Sequence, residues 1–459
     1  MINWFIIKFK YWRQKNKFAT DVLALTSSNL VVQVLNLLAL PLLTRIYNPS
    51  DFGVLGVFSA IVQIITCIAT FRYEIPIPAA KTNRDAFNLL IVCTVNVVST
   101  AIATFLILIL IKQTEIQIPF INSLDWFVWL VPLGVLVCSS FNILQFYAIR
   151  EKQYQMIAQI RLKQSLIAIA SQFGFGLMLK GASGLIIGFI LQTGAGGWKF
   201  FNHLLKNLEY KDKKLNIREI QATYLQHSAY FKYSTPEALS QMGALQLPLI
   251  IIATYVNAVE AGLLFMANRI MQLPVGIVSG SFAQVFSGSA ADSFKDGKLN
   301  DLFVDTVYLM LKYAVPPIFF LAIACWSLLP YVLGKEWERA GEIAIWLAAS
   351  SILQSLSSAT GASLYVTANE RIAFYVQLIG FTLRVFPTAF CSIYFQNYAS
   401  YVYGLSGALH YILYLGVVSV VCKTTKKQYL YLLSSFIKIL LIWMVPVLSI
   451  IAIIMIAYR

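Results

Sequence analysis

Residues 86–111 read AFNLLIVCTVNVVSTAIATFLILILI and contain no Asp, Glu, Lys or Arg. The hydrocarbon core of a bilayer is about 30 Å thick, and a helix of about 20 apolar residues crosses it. This stretch is therefore long and apolar enough to cross a membrane as a helix. Similar runs, separated by short polar loops, recur along the chain and predict an all-α polytopic membrane protein.

The composition of the chain supports the same class of protein. Of its 459 residues, 59% are hydrophobic and 12% are charged, whereas a soluble globular chain has about 25% charged residues. The net charge is +15, but most of the 35 Lys and Arg residues fall in segments that we predict to be cytoplasmic. This asymmetry follows the positive-inside rule and places the N terminus in the cytoplasm. It gives no reason to expect nucleic acid as a partner.

The apolar runs predict twelve core spans in two groups of six. They lie near 22–45, 53–79, 86–111, 125–149, 156–179 and 182–204, and then near 228–254, 260–288, 302–330, 341–367, 372–396 and 401–422. A thirteenth run, Tyr429–Tyr458, contains Lys438 and Pro446. It either crosses the membrane, which puts the C terminus outside, or bends at Pro446 along the interface. We favour the crossing.

These spans divide the chain into five segments. Residues 1–20 form an arm of aromatic and basic side chains that fits an interfacial helix in the cytoplasm. Residues 21–205 form an N-terminal six-helix bundle, 206–227 a cytoplasmic linker loop, and 228–422 a C-terminal six-helix bundle. Residues 423–459 form a basic loop and the extra hydrophobic helix. Two groups of six spans are a common transporter layout.

The starts of the two halves resemble each other. The first span is followed by Tyr47-Asn48-Pro49-Ser50-Asp51-Phe52-Gly53, and the seventh by Tyr255-Val256-Asn257-Ala258-Val259-Glu260-Ala261-Gly262. In both, an acid, one further residue and a Gly open the next helix. The acid faces the positive end of the helix dipole, and Gly permits a tight turn. We interpret this as a parallel internal repeat, and two unrelated helix starts are the alternative.

Cations inside the predicted spans outnumber acids. The cations are Arg72, Arg161, Lys163, Lys232, Arg269, Lys312, Arg384 and Lys438, and the acids are Glu74 and Glu237. A charge at the bilayer centre costs about 2.5–3.5 kcal/mol on insertion scales, so most of these side chains must face protein or water. We predict that the deeper four, Arg72, Arg269, Lys312 and Arg384, line a cationic cavity that binds an anion such as phosphate. The alternative is that they pair with Glu74, Glu237 or helix carbonyls as structural ties.

A second set of polar residues could belong to the cavity or couple transport to an ion. Arg161 and Lys163 are shallower and could reach the inner interface. Asn29, Gln33 and Asn36 lie on one side of the first helix, where they could contact sugar hydroxyls or bond to a neighbouring helix. Glu74, Glu237 and His410 are candidates to carry a proton, although a single intramembrane His is commonly a buried hydrogen-bonding residue.

The sequence offers little support for catalysis. The three His residues are scattered, no cluster has metal-ligand spacing, and neither a P-loop nor a nucleophile elbow is present. The six Cys residues show no CxxC spacing. We therefore expect neither enzymatic activity nor a metal or other cofactor.

The order of several motifs resembles that of the polysaccharide transport proteins, the Wzx-type O-antigen flippases. The motifs are TRIYNPSDFG at 44–53, FRYE at 71–74, NRIMQLP at 268–274, LGKEW at 333–337, SATG at 358–361 and NER at 369–371. The resemblance covers about residues 20–420, and the order of the motifs is more specific than any one of them.

This resemblance implies a multidrug/oligosaccharidyl-lipid/polysaccharide exporter fold, with two six-helix bundles around a central cavity and alternating access. The implied substrate is an undecaprenyl-pyrophosphate-linked oligosaccharide, an O-antigen, capsule or exopolysaccharide repeat unit. It would be flipped from the inner to the outer leaflet of the bacterial cytoplasmic membrane. A polysaccharide polymerase and a chain-length regulator are implied partners beside membrane lipid. The family has twelve or fourteen spans, so the thirteenth segment departs from it.

Three other functions stay open at this point. A flippase for a peptidoglycan or teichoic-acid precursor would share the cations and the fold. A multidrug antiporter of the same fold would need more acids than the spans contain. A membrane glycosyl-polymerase would need a sizeable polar loop with paired carboxylates, and the predicted outer loops are short.

Overall fold

Helices form the regular secondary structure of the part of the chain that the computed structural model describes, residues 17–114, 121, 124–207 and 216–457. The α-helices are α1 (Lys17–Leu43), α2 (Pro49–Ala69), α3 (Asn83–Gln113), α4 (Val131–Arg150), α5 (Tyr154–Met178), α6 (Ser183–Gly194), α7 (Gly197–Asn207), α8 (Ile217–Gln226), α9 (Thr235–Tyr255), α10 (Ala258–Lys295), α11 (Leu299–Tyr313), α12 (Val315–Val332), α13 (Glu338–Thr360), α14 (Ala362–Val366), α15 (Glu370–Tyr394), α16 (Ala399–Val421) and α17 (Lys426–Ala457). Short 3₁₀ helices occur at Ile77–Ala79, Asp125–Leu130, Lys335–Trp337 and Gln396–Tyr398, and a π-helix spans Tyr230–Ser234.

Within these residues, nine helical stretches are long and apolar enough to cross a bilayer. One of them is Asn83–Gln113, which contains the charge-free run. The prediction of an all-α multi-pass membrane protein is confirmed. The count of twelve core spans plus one stays a prediction.

Two details of the predicted organisation are wrong. The span at 182–204 is broken between α6 and α7, because Gly196 adopts a φ of +87°. The linker predicted as a loop over 206–227 contains α8, whose first turn is capped by the Asn216 side chain accepting a bond from the Arg218 amide at 3.2 Å. The predicted span at 302–330 lies within Leu299–Val332, one of the stretches long and apolar enough to cross a bilayer, with a single turn residue, Ala314, between α11 and α12 shortly before Pro316 and Pro317.

Two further predictions concern the chain termini. The helix α17 continues through Pro446, since a helix tolerates the loss of the single bond that a proline removes. Whether α17 crosses the membrane stays a prediction. The predicted interfacial arm lies outside the described residues over 1–16.

The helices group into two compact units. The first comprises the described residues of 17–42, 62–114 and 126–236, and the second those of 43–61, 124–125 and 237–457. In the first unit α5 packs against α6, and α4 packs against α3, α6 and α7. In the second, α13 packs against α10, α12 and α16, α15 packs against α16, and α17 packs against α11 and α12. The predicted bundle boundaries stay a prediction.

The helix α8 is held along α3 in the first unit. Arg84 Nε donates to Glu219 Oε2 at 2.8 Å, and Asn88 Nδ2 donates to Thr223 Oγ1 at 3.5 Å. Both pairs are 135 residues apart, so the two helices run parallel in a fixed register. The bond from Arg84 favours the charged carboxylate and lowers the pKa of Glu219 below its ordinary value.

The FRYE motif packs against the same region. Phe71 and Arg72 have positive φ values of 51° and 64°, a conformation that costs a non-glycine residue about 1–3 kcal/mol. Tyr73 is buried, its ring stacks on Tyr224 at 5.0 Å between centroids, and its hydroxyl donates to the Tyr224 carbonyl at 3.0 Å. These contacts offset the backbone strain and give the motif a structural role.

The two repeat motifs meet in the second unit. Each helix start is capped by an Asn: the Asn48 side chain accepts from the Asp51 amide at 3.0 Å, and the Asn257 side chain accepts from the Glu260 amide at 2.7 Å. A methyl group on Gly53 would overlap the Ala258 carbonyl, and one on Gly262 would overlap the Pro49 carbonyl. The starts of α2 and α10 therefore cross with reciprocal backbone contact, and the internal repeat stays an interpretation of the sequence.

Other residues in or near the motifs pack around this crossing. The ring of Trp337 is buried against Phe52, with 5.3 Å between centroids. Arg339 donates to both carboxylate oxygens of buried Glu260, at 2.6 and 3.2 Å, and Ser400 Oγ donates to the same carboxylate at 2.7 Å. The motifs near 48–53 and 333–337 thus stabilise one end of the second unit.

Candidate functional site

The candidate site begins with two glycines on neighbouring helices, α15 and α16. A methyl group on Gly380 of α15 would overlap the ring of His410 on α16. In the opposite direction, a methyl group on Gly407 of α16 would lie 3.1 Å from Nη2 of Arg384 on α15. Each glycine therefore leaves room for a polar side chain of the other helix. As a result, Arg384 and His410 both pack at the contact between α15 and α16.

Arg384 is buried without a carboxylate partner. Its residue is 4% exposed, and no acid of the described residues lies within ion-pair distance. Its guanidinium lies over the rings of Tyr411 at 4.7 Å and Tyr403 at 5.9 Å, and its Nε has no hydrogen-bond partner in the described structure. Aromatic faces stabilise a cation without neutralising it, so the positive charge is available to an anion.

His410 is equally buried, at 4% exposure, and its Nδ1 has no hydrogen-bond partner among the described residues. Its ring lies 4.9 Å from the Tyr411 ring and 6.3 Å from the Tyr414 ring. A buried ring nitrogen without a partner costs free energy, unless a water molecule or ligand group bonds to it.

Both side chains line a cavity of about 510 Å³ within the second unit. Its polar lining consists of Glu237, Gln241, Ser287, Gln354, Ser357, Ser358, Tyr365, Gln377, Arg384, His410, Tyr411 and Tyr414. The carboxylate of Glu237 accepts from the Tyr365 hydroxyl at 2.9 Å, and Gln354 accepts from Gln272 Nε2 at 2.8 Å. One free guanidinium beside amides, hydroxyls and phenol rings can bind an anionic group together with several hydroxyl groups.

Arg72 differs from Arg384 in having an acid partner. Its Nη1 lies 3.5 Å from Oε1 of Glu74, which is buried and also accepts a bond from the Thr70 hydroxyl. This pairing favours the structural alternative that the sequence left open for Arg72 and Glu74. A substrate-binding role for Arg72 stays a prediction.

The polar face of the first helix is largely occupied by α5. Arg161 Nη1 donates to Asn29 Oδ1 at 2.6 Å, and Ser165 Oγ donates to Asn36 Oδ1 at 3.1 Å. Gln33 lies between them, and its buried Oε1 has no partner in the described structure. Helix–helix hydrogen bonding therefore accounts for Asn29, Asn36 and Arg161.

The remaining predicted residues do not line this cavity. Arg269 is half-buried on α10, and Lys312 is exposed at the end of α11, with Nζ 5.6 Å from the Tyr313 ring centroid. Lys163 is exposed on α5. Of the twelve predicted site residues, the structure brings Arg384, Glu237 and His410 together, and binding roles for Arg269 and Lys312 stay predictions.

Sequence reasoning missed the aromatic part of the cavity. None of Tyr365, Tyr411 and Tyr414, which line the cavity, was singled out from the sequence. Gln377 also went unnoticed, although it lies seven residues before Arg384 and therefore on the same side of the helix. Tyr414 could have been found in the same way, because it follows His410 by four residues and therefore lies on the same side of α16. Among the described residues, no group of three or more His, Cys, Asp or Glu side chains could hold a metal ion.

The fold is shared by several membrane proteins of known structure. The chain is similar to the lipid II flippase MurJ in an inward closed conformation, with 13% identity, a TM-score of 0.71, and coverage of 95% of this chain and 96% of that chain. It is also similar to an inward-facing multidrug resistance MATE family transporter of the MOP superfamily, with 12% identity, a TM-score of 0.64, and coverage of 87% and 99%. A MOP superfamily transporter from Pyrococcus furiosus gives 12% identity, a TM-score of 0.54, and coverage of 88% and 96%. At these identities the similarity establishes the fold alone.

The family is established by sequence. The model of the polysaccharide biosynthesis protein family matches residues 42–342, which is more than half of the chain. The chain belongs to this family, and the family assignment predicted from the motif order is confirmed. No curated protein matches the chain.

Proposed function

We propose that the protein is a flippase for an undecaprenyl-pyrophosphate-linked oligosaccharide, an O-antigen, capsule or exopolysaccharide repeat unit. It would move this lipid from the inner to the outer leaflet of the bacterial cytoplasmic membrane by alternating access, with its N terminus in the cytoplasm. Membership of the polysaccharide biosynthesis family and the flippase-like fold support a transporter of a lipid-linked substrate.

The observation that carries the proposal is the unpaired guanidinium of Arg384 in a cavity of amides and hydroxyls. A guanidinium bonds phosphate oxygens through two parallel N–H groups, and Gln and Ser side chains suit sugar hydroxyls. The head group of a lipid-linked oligosaccharide combines these two chemistries. A cationic drug would be repelled by Arg384, so a multidrug exporter fits the cavity less well.

The proposal assigns the other cations subsidiary roles. Arg72 would bind the pyrophosphate with the part of its charge that Glu74 does not neutralise. Arg269 and Lys312 would line the path of the substrate across the membrane. The acid Glu237 and the imidazole of His410 are candidates to carry a coupling proton. A polysaccharide polymerase would use the flipped lipid, and a chain-length regulator would act with it.

A genetic experiment tests this function. Loss of the protein should leave lipid-linked repeat units in the inner leaflet and abolish the surface polymer, and the wild-type chain should restore both. If peptidoglycan precursor accumulates and the surface polymer persists, the protein is a precursor flippase and the proposed substrate is wrong.

A further inference from the structure

A groove of about 580 Å³ lies between α3 and α8 in the first unit. Its lining consists of Val92, Val95 and Asn96 of α3 and of Ile220, Gln221, Tyr224 and Leu225 of α8. This lining contains no charged side chain, and the amide of Asn96 donates to the Thr70 carbonyl at 3.3 Å. Sites for small molecules have volumes of about 300–1,000 Å³ and mostly apolar linings. The groove is therefore of a size and chemistry that suit an apolar ligand.

The register of the two helices sets the level of the groove in the membrane. Arg84 of α3 bonds to Glu219 of α8, so the charged starts of both helices lie at the same level. The charge-free run of α3 begins two residues after Arg84, at Ala86. Val92 and Val95 lie about 9 and 14 Å further along the helix axis. The groove therefore extends from the head-group layer into the acyl chains of the leaflet that we predict to be the inner one.

The groove opens on an exposed apolar surface of the protein. Val95 and Leu225, at its edges, are 60% and 69% exposed. Ile102 and Phe105 continue the exposed surface of α3 along the apolar run. At this depth such a surface contacts acyl chains, because contact of its side chains with water would be unfavourable. An empty apolar groove would forfeit the contacts of its walls, so we expect an acyl chain to enter it.

A cation lies one helical turn before the groove. Arg218 is exposed, and it precedes Gln221 by three residues and Leu225 by seven, which places it on the face of α8 that lines the groove. The adjoining carboxylate of Glu219 accepts its bond from Arg84 of α3 instead. A guanidinium at the head-group layer can bond to a phosphodiester, and basic side chains there attract anionic lipids. The charge next to the groove thus complements the head group of an anionic phospholipid.

We propose that the groove binds one acyl chain of an anionic phospholipid and that Arg218 bonds to the phosphodiester of its head group. The bilayer supplies this ligand at a far higher concentration than any other apolar molecule, so even a weak site is filled. The bound lipid would hold α8 on α3 together with the bonds that Arg84 and Asn88 make to α8. This site is independent of what the protein transports.

Photo-crosslinking in the full-length protein tests the groove. The protein would be reconstituted in phosphatidylcholine vesicles with a small amount of phosphatidylglycerol that carries a diazirine in one acyl chain, and mass spectrometry would locate the labelled residues. Residues 220–225 should be labelled more strongly than the exposed residues of 102–110 on α3. Val95→Trp should abolish most of the labelling at 220–225, because the indole would fill the groove. Ile102→Trp, seven residues further on the same side of α3, is the matched control and should leave that labelling unchanged.

Two results would show that the groove is not a lipid site. One is labelling at 220–225 that is no stronger than at 102–110, and the other is labelling that Val95→Trp does not change. Displacement of the probe by undecaprenyl phosphate, but not by unlabelled phosphatidylglycerol, would show that a polyprenyl chain occupies the groove and would overturn the phospholipid assignment.

The head group is tested with a second probe, a phosphatidylcholine that carries the same diazirine chain. In the wild-type protein the phosphatidylglycerol probe should label residues 220–225 more strongly than the phosphatidylcholine probe. Arg218→Gln should lower labelling by the anionic probe about fivefold, the effect of one basic side chain near an anionic membrane surface, and leave labelling by the other probe unchanged. Equal labelling of the wild-type protein by the two probes would overturn the anionic head group, even if the variants failed to fold.

Discussion

The imidazole ring of His410 occupies the space that the missing side chain of Gly380 leaves on the neighbouring helix. Gly407 provides the equivalent space for the Arg384 guanidinium, so the contact between α15 and α16 is reciprocal. Two polar side chains are thereby buried at a close helix crossing and still line the cavity. The position of the candidate site thus depends on two residues that have no side chain.

The first prediction follows from this crossing. Gly380→Ala should displace the His410 ring, reduce transport, and lower the free energy of unfolding by about 1–3 kcal/mol, as overpacking of a tight core does. Thermal unfolding and flipping rates would both be measured in reconstituted protein. Gly416→Ala on α16 is the matched control, since nothing lies within 4 Å of its added methyl group. Equal behaviour of the two variants would show that the crossing tolerates a methyl group.

The ion pair of Arg72 and Glu74 gives the second prediction. Removing one partner of a buried pair costs about 3–5 kcal/mol, but the Arg72 side chain is 32% exposed, so we expect about 1–3 kcal/mol for Arg72→Ala. Adding Glu74→Gln should recover part of this loss, because no charge is then left without its partner. A double-mutant cycle on unfolding free energies measures the coupling.

The same double variant separates the two roles of Arg72. If the residue is only a structural tie, recovery of stability should be accompanied by recovery of transport. A stable double variant that does not transport, while Glu74→Gln alone transports normally, would instead identify Arg72 as a substrate ligand.

The third prediction concerns the crossing of α2 and α10. Gly53→Ala and Gly262→Ala should each force the two backbones apart, because the added methyl groups would overlap carbonyl oxygens that cannot move independently. We expect each variant to lose at least about 1–3 kcal/mol of stability or to fail to accumulate in the membrane. Gly280→Ala on α10, with open space around it, should behave as wild type. Normal accumulation of both motif variants would contradict the reciprocal contact.

Much of this fold could be predicted from local sequence, because the signals are local. The charge-free run of α3 specifies a membrane helix by itself, and the Asn–acid–Gly pattern specifies the capped starts of α2 and α10. The helix α8 could not be predicted in the same way. Its position depends on Arg84, Asn88 and Tyr73, which lie far away in the sequence.

In the candidate site, too, some features could be predicted from local sequence and others depend on long-range packing. The cost of a charge in lipid identified Arg384, Glu237 and His410 as candidates from their positions alone. That cost could not show that Arg72 is paired and Arg384 is not, because pairing depends on which helices are neighbours. The tyrosines were missed because aromatic residues are common in membrane helices. Only the way in which helices α13, α14, α15 and α16 pack together places Tyr365, Tyr411 and Tyr414 in a cavity.

The fourth prediction is a pH dependence at the start of α8. The folded pKa of Glu219 lies below its ordinary value, so its bond to Arg84 is fully present above about pH 4.3. The contribution is lost as the pH falls through the lowered folded pKa. Pulsed spin-label distances between Lys81→Cys and Arg218→Cys should be narrow at neutral pH and broaden as the pH falls through the lowered pKa of Glu219. Glu219→Gln should abolish this change, and a distribution that broadens equally in the variant would exclude Glu219 as its cause.

The most direct test of the account measures transport by Arg384 variants in vesicles that contain a labelled polyprenyl-pyrophosphate oligosaccharide. A hydrogen bond to a charged group contributes about 1.5–3 kcal/mol, so Arg384→Ala should bind the lipid about 10- to 100-fold more weakly and flip it correspondingly slowly. Arg384→Lys should be intermediate, because an ammonium retains the charge without the planar fork. Lys438→Gln, which removes an exposed cation from a helix that is only predicted to cross the membrane, should be unaffected. A folded Arg384→Ala protein that flips the lipid at the wild-type rate would contradict the central claim that the unpaired guanidinium binds the head group.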